Sequence, residues 1–231
     1  MIQIQSICWF QNTLRLEDNP ALVEASKLGP TLAIYILDTT KAIGGASKVF
    51  LHHSLESLNK SLDGKLMIYK GDPKIILEQL CQRFSIKHIF NNTVYEPNEL
   101  EQQRHYKTYF QQKGIAFKSF NASLLWDPKS ITKSDGTMYK VFTPFYRKGC
   151  LLSSPPRKPF SKPSNLHFVS DDTSKTRLSD LNLLPHHPWH KSIIEGWDIS
   201  EEGAHKQLNC FIKKGLNQYK EGRNFPAKAF V

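Results

Sequence analysis

Long apolar runs are the first thing this chain lacks. Nowhere in its 231 residues do about eighteen apolar side chains follow one another, and a helix that crosses a bilayer needs roughly twenty. No membrane-spanning helix is expected. The first residues, Met1-Ile2-Gln3-Ile4-Gln5-Ser6, have neither a basic n-region nor a long apolar stretch, so no signal peptide is read and a cytoplasmic protein is expected. Cysteine is scarce as well. Cys8, Cys81, Cys150 and Cys210 stand singly, with no C-x-x-C pair and no histidine at ligand spacing, which excludes a zinc ribbon or a disulfide framework and predicts reduced, mostly buried thiols. His52-His53 and His186-His187 are neighbours whose side chains diverge on a helix, so no metal site is expected from them. Two catalytic signatures are missing too. No G-x-G-x-x-G links a strand to a helix, which argues against plain dinucleotide binding. No G-x-S-x-G elbow is present, and Ser, His and Asp are scattered, which argues against a hydrolase triad.

Acidic residues are outnumbered, 21 against 31 basic ones, for a net charge of +10. Such a balance favours encounter with a polyanion such as nucleic acid. Lys140, Arg147, Lys148, Arg157, Lys158 and Lys162 cluster in one stretch with Tyr139, Phe142, Phe145, Tyr146 and Phe160 between them. Two readings stand side by side: a nucleic-acid-facing surface, and a solvated linker with aromatic anchors into a core.

Up to about residue 120, short β-rich runs alternate with longer helical patterns, the signature of β-α units around a parallel sheet. Strands are read at residues 4–10, 31–37, 65–69, from 88–90 and at 115–120. The second is nearly all apolar, as a strand covered on both faces should be. Between them, Phe50, Leu51, Leu55, Leu58 and Leu62 recur at helical spacing, as do Ile76, Leu77, Leu80 and Phe84. A further helix is read from Pro97 to about Lys113, with Gly114 as its left-handed cap. The fold class is α/β, a doubly wound five-stranded parallel sheet of Rossmann-like type. From residue 153 to 188 the chain is rich in Ser, Pro and Lys with little periodicity, and reads as an interdomain connector. Helical spacing returns with Ala204, Leu208, Phe211, Ile212, Leu216 and Tyr219. The boundaries read are an α/β domain over 1–130, a linker over 131–196 and the start of a helical domain over 197–231.

The richest segment is the run Trp9-Phe10-Gln11-Asn12-Thr13-Leu14-Arg15-Leu16-Glu17-Asp18-Asn19-Pro20-Ala21-Leu22. Asp18 or Asn19 offers an N-cap oxygen, and Pro20 suits the first helical turn. The run resembles the amino-terminal signature of the DNA photolyase and cryptochrome family, roughly W-F-R-x-D-L-R-x-x-D-N-x-A-L. Gln11 and Thr13 replace the usual Arg and Asp, so that only neutral hydrogen bonds are available there and a looser junction is expected. Gly45-Ala46-Ser47-Lys48-Val49-Phe50-Leu51, Lys70-Gly71-Asp72-Pro73 and Tyr139-Lys140-Val141-Phe142-Thr143-Pro144-Phe145 resemble later segments of the same family. So do Glu202-Gly203-Ala204, Leu208, Phe211, Tyr219, Arg223-Asn224 and Pro226.

That resemblance implies an antenna chromophore in the α/β domain, with FAD and damaged DNA held by a helical domain. Light absorbed by the antenna would pass to reduced flavin, which donates an electron to a cyclobutane pyrimidine dimer. Tyr95-Glu96-Pro97-Asn98-Glu99 is similar to the segment that contacts a folate antenna, methenyltetrahydrofolate, which gives Asn98 and Glu99 a binding role. The alternative is that they only cap their helix. Tyr219 matches a position touching the flavin phosphates and Arg223 one touching DNA phosphate. An Arg at a helix C-terminus is also favourable without a ligand, and Tyr219 could be core. Intact members of the family are much longer. The last few residues leave the family pattern just before the segment that wraps the flavin phosphates in intact members, so the chain is read as ending before the flavin site and inactive in repair by itself. A separate flavin-domain chain, or self-association through residues 204–219, would then cover the last apolar stripe. A cryptochrome-like signalling module and a non-enzymatic pterin- or nucleotide-binding domain are the alternative readings.

Overall fold

Residues 4–170 and 176–227 are described in the computed structural model. The first three residues, part of the Ser- and Pro-rich stretch at 171–175 and the chain end from 228 to 231, to which the reading of a departure from the family pattern in part applies, lie outside them. The regular elements of the first half are β1 (Ser6–Phe10), α1 (Pro20–Ser26), β2 (Thr31–Asp38), α2 (Gly45–Ser61), β3 (Leu66–Gly71), α3 (Pro73–Phe84), β4 (His88–Asn92), α4 (Pro97–Gln112) and β5 (Ala116–Phe120). The strands form one sheet in the order β3-β2-β1-β4-β5. β1 pairs in parallel with β2 and β4, and β4 with β5. This is the doubly wound sheet expected from the alternation of runs.

Burial follows position in the sheet. All five residues of central β1 are buried, whereas β5, at the edge, has Phe117 buried and Lys118 and Ser119 exposed. The chain reverses direction of strand addition between β1 and β4. In open α/β sheets the crevice beyond the strand ends at such a point is where ligands usually bind.

Two compact units are distinguished: the segment ending at Ile36 with Lys74–Val169, and Leu37–Pro73 with the chain from Ser170 on. In the first, the buried aromatics Phe110 and Phe117 stack at 5.9 Å, and Tyr106 lies between Trp9 and Phe117 with ring separations of 5.9 and 6.3 Å. Gly114, at φ +71°, ends the turn after α4 in the left-handed region that favours glycine. The four cysteines are free, three of them buried, and burial, with the nearby Glu78 charge adding to it, pushes the Cys81 thiol up to about 12.

In the second unit, Leu55, Leu58 and Leu62 of α2 and its C-cap are buried, and the backbone of Thr176 donates to Ile68 of β3 at 2.7 Å. α5 (Glu201–Cys210) starts at Ser200, whose hydroxyl accepts from the Gly203 amide at 2.9 Å. A Cβ on Gly203 would lie 2.3 Å from the Asp198 carbonyl oxygen, so only glycine fits this first turn. The apolar periodicity at 204–219 predicts one helix. The backbone instead passes from α5 through a π-helical turn at Phe211–Gly215 and a 3-10 turn at Leu216–Gln218 to a last α-turn at Tyr219–Gly222. A π turn takes one more residue per hydrogen bond, which a 3.6-residue pattern does not register.

Candidate functional site

The family-like run Trp9 to Leu22 makes two structures, neither of which is a phosphate cradle. The first is an amide network at the carboxyl ends of β1 and β4. Gln11 Oε1 accepts from Asn91 Nδ2 at 2.9 Å and from Gln103 Nε2 of α4 at 3.3 Å. Asn91 Oδ1 accepts from Ser119 of β5 at 2.7 Å. Asn92 Nδ2 donates to Asn19 Oδ1 at 2.8 Å, and the same oxygen caps α1 by accepting from the Leu22 amide at 3.1 Å. Asn19, Asn91, Asn92 and Gln103 are buried. Amide side chains thus bridge the switch-point strands where a dinucleotide fold would admit a pyrophosphate. The looser junction expected at Gln11 is not found. Its neutral hydrogen bonds have buried partners that come from residues far along the chain, where no local pattern could show them.

The second structure is a clasp on the connector. Asp18 adopts φ +46°, its amide donates to the Phe160 carbonyl at 2.8 Å, and its carboxylate accepts from the Phe160 amide at 3.1 Å and from Arg157. Arg15 donates to the carbonyls of Glu17, Asp18 and Ala122. Burial works against ionisation of Asp18, but the Arg157 hydrogen bond, the Phe160 amide and the charges of Arg157 and Arg15 outweigh it and hold the carboxyl below its usual range. The Arg157 guanidinium also lies 4.6 Å over the Phe160 ring. Of the clustered basic residues, Arg157 is therefore a structural cation. Earlier in the same stretch Val141, Phe142, Tyr146, Leu151 and Leu152 are exposed, with Phe142 and Tyr146 stacked at 5.9 Å.

A cleft of about 370 Å³ runs along α4, lined by Lys74, Asn98, Glu101, Gln102, His105, Tyr106 and Tyr109. Its volume lies within the roughly 300–1,000 Å³ of small-molecule sites. The Lys74 ammonium sits 3.9 Å above the Tyr109 ring, and Lys113 faces the same ring at 4.7 Å. Tyr109 donates to Glu78 at 2.7 Å, and Glu78 also accepts from Lys113. Those two donors, Lys113 first, hold the Glu78 carboxyl below its usual range. Asn98 and Glu99 both fall in the first turn of α4, which has no side-chain cap on Glu96. Asn98 opens on the cleft, and Glu99 is not among the lining residues. The signal for the rest was in the sequence: residues 98, 101, 102, 105 and 109 recur at three and four, a polar stripe on one helical face.

Tyr219 and Arg223 come together, with the Arg223 guanidinium 5.5 Å from the Tyr219 ring, which packs edge-on against Phe211 at 5.6 Å. Tyr219 is 42% exposed, so it is not a core residue, and Arg223 is exposed too. The pair offers donors to an anion but does not enclose a flavin. His52 and His53 lie edge to face at 5.3 Å, and burial, followed by the charge of His53, lowers the His52 imidazole pKa.

Comparison with known proteins agrees with this architecture. The family model described as DNA photolyase matches residues 6–164. Over 228 residues the chain is 35% identical to the deoxyribodipyrimidine photo-lyase of Agrobacterium fabrum, covering 96% of this chain and 47% of that protein. It is 29% identical to cryptochrome-1 of Arabidopsis thaliana, covering 94% of this chain and 33% of that one. The crystal structure of a class III photolyase from Agrobacterium tumefaciens superposes with a TM-score of 0.92 at 33% identity, over 100% of this chain and 49% of the other. The chain spans about half the length of the photolyases it matches.

Proposed function

This chain belongs to the DNA photolyase family, and from that premise we propose that it is the light-collecting part of a deoxyribodipyrimidine photolyase. Residues 1–130 form its antenna domain, 131–196 the linker and 197–231 the start of the helical flavin domain. The observation that carries this reading is Asn98, at the start of α4, opening on a cleft of ligand size. An amide there, beside the Glu101 carboxylate and the Tyr106 and Tyr109 rings, suits the edge and face of a pterin, so the residues fit a folate antenna. Asn98 and Glu99 are the residues proposed to hold it. When bound, such a chromophore supplies near-ultraviolet absorption. The protein positions it and shields it from water.

Repair of pyrimidine dimers in damaged DNA belongs to reduced FAD in the family. Tyr219 and Arg223 are proposed contacts to the flavin and to DNA phosphate, but two exposed side chains do not make a flavin site. No chemical step is assigned to them. The test is reconstitution of the purified chain with methenyltetrahydrofolate. A near-ultraviolet band that travels with the protein through gel filtration is expected, and its absence overturns the antenna reading. With reduced FAD and a dimer-containing oligonucleotide under blue light, this polypeptide alone is expected to leave the dimer intact. Cleavage would overturn the division of labour.

Similarity to the plant cryptochrome across nearly the whole chain supports a second reading, a blue-light signalling module on the same fold. Co-expression with the flavin-binding half of the Agrobacterium fabrum relative in a repair-deficient bacterium separates the two. Light-dependent survival supports repair, and its absence despite a folded, flavin-loaded complex supports signalling.

A further inference from the structure

α2 carries a stripe that neither the antenna nor the flavin contacts use. Gly45, Lys48, His52 and Glu56 recur at three and four along it and so share one face. The last part of the connector, a 3-10 turn at Pro188–His190 followed by a helical turn at Lys191–Ile194, lies against that face. A Cβ on Gly45 would be 3.6 Å from Trp189 Cζ2, which puts the indole over the first turn of α2. Two turns on, His190 is close enough to His52 for its charge to act on that imidazole. His190 is 8% exposed and lies edge-on to the Trp189 ring at 5.9 Å. The Nδ1 atoms of His52 and His190 are both buried, and neither has a hydrogen-bond partner among the described residues.

An imidazole that gains a proton in such a place needs an acceptor for its new N–H and a counter-charge. Both are short here. On α2, His53 Nδ1 lies 3.5 Å from Glu56 Oε2, and the Glu56 side chain is 68% accessible, so that carboxylate is already shared and open to solvent. Lys48, one turn before His52, is itself a cation. The turn at Leu178–Leu181 also packs on α2, and beside it Arg177 and Asp180 pair with each other at 3.0 and 3.1 Å. On the connector side His186, His187, Lys191 and Glu195 are exposed. We propose that His52 and His190 form an acid-released latch, which holds residues 188–194 on α2 while both imidazoles are neutral and frees them when protons are taken up. Burial first, then the charge of His53, lowers the His52 pKa, with Glu56 opposing and His190 adding. The docked state therefore binds fewer protons than the free one. Docking is complete above the free histidine value of ~6.5 and weakens as pH falls through it towards the lower docked value. Since residue 194 stands just ahead of α5, release lengthens the tether of the helical run.

The experiment is hydrogen exchange of the full 231-residue chain at about pH 7.5 and about pH 5.5, either side of the free histidine value, with protection corrected for the intrinsic effect of pH on exchange. The reporting amides are those of Glu195 and Trp197, which donate to the carbonyls of Lys191 and Ile194 at 2.9 and 2.8 Å. Their protection is expected to fall about tenfold in acid, the scale of one proton taken up over one pH unit, while peptides from β1 keep theirs. The double variant His52→Gln with His190→Gln places neutral amides at both sites and is expected to lose the acid response. His53→Gln, which touches the exposed pair alone, is expected to keep it. In the wild type, the His52 Cε1–H resonance followed by NMR is expected to titrate below ~6.5, with the midpoint at which protection is lost. That midpoint decides the matter even where the double variant docks poorly. Equal protection at both pH values, an acid response that survives in the double variant, or a His52 titration at or above ~6.5 overturns the latch.

Discussion

Gln11 shows how a single position can mislead when it is judged only against its neighbours. In the family-like run it replaces a charged residue, and the sequence gives no sign of what it meets. In the fold its side-chain oxygen is shared by Asn91 and Gln103, residues that lie 80 and 92 positions away. Removing it takes away the acceptor that the two buried amides share and leaves each with only a long contact to the Asn92 carbonyl, at 3.5 Å from Asn91 and 3.3 Å from Gln103, and a buried donor that loses its partner costs about 1–3 kcal/mol. Gln11→Leu is therefore expected to lower the thermal midpoint by roughly 2–10 °C for a chain of this size, measured by scanning calorimetry, with the folate titration of the α4 cleft little changed. A midpoint within about 1 °C of wild type would mean that water replaces Gln11 without loss. Asn19 was the legible counterpart: its cap, with Pro20 behind it, follows from local chemistry alone and stands in the structure as expected.

At the level of elements, what could be read from the sequence was whatever repeats with a short period. The five strands, the four helices among them and the left-handed Gly114 all follow from alternation, apolar stripes and turn chemistry. The clasp between the β1–α1 junction and residues 157–160 has no period, and its partners are about 140 positions apart. It nonetheless fixes the connector through Asp18, and that gives it a pH dependence. An unfolded aspartate titrates near ~3.9, and Asp18 in the fold titrates lower because Arg157, the Phe160 amide and Arg15 together outweigh its burial. The stability it contributes is complete above the unfolded value and is lost as pH falls through the folded value. Asp18→Asn removes the charge while keeping a residue that tolerates φ +46°. Denaturant unfolding should show wild type more stable than Asp18→Asn at neutral pH, with the gap closing below about pH 4. A gap that persists unchanged in acid would mean the clasp works through its backbone bonds alone.

For the whole molecule, the net charge and the last helical run act in opposite directions, and salt tells them apart. Leu208, Ile212, Leu216 and Tyr219 are 42–56% exposed, and completing the burial of each half-exposed aliphatic side chain gains on the order of 1 kcal/mol, about half the value for burying it from full exposure. That stripe favours association, with a flavin-domain chain or with a second copy of this chain as the proposed partners. Lys206, Lys213, Lys214 and Lys220 surround it, and the chain carries +10 overall, so two copies repel one another at low ionic strength. Screening within about 10 Å is achieved near 0.1 M salt, after which the apolar gain is no longer opposed. Sedimentation of the purified chain is therefore expected to show self-association that strengthens as salt rises, and Ile212→Glu is expected to abolish it without changing the helical signal. Binding of the same surface to nucleic acid would have the opposite sign, because counterion release makes it weaken steeply with salt. A chain that stays monomeric in high salt, with Ile212→Glu indistinguishable from wild type, would show that the stripe is not an association surface for copies of this chain.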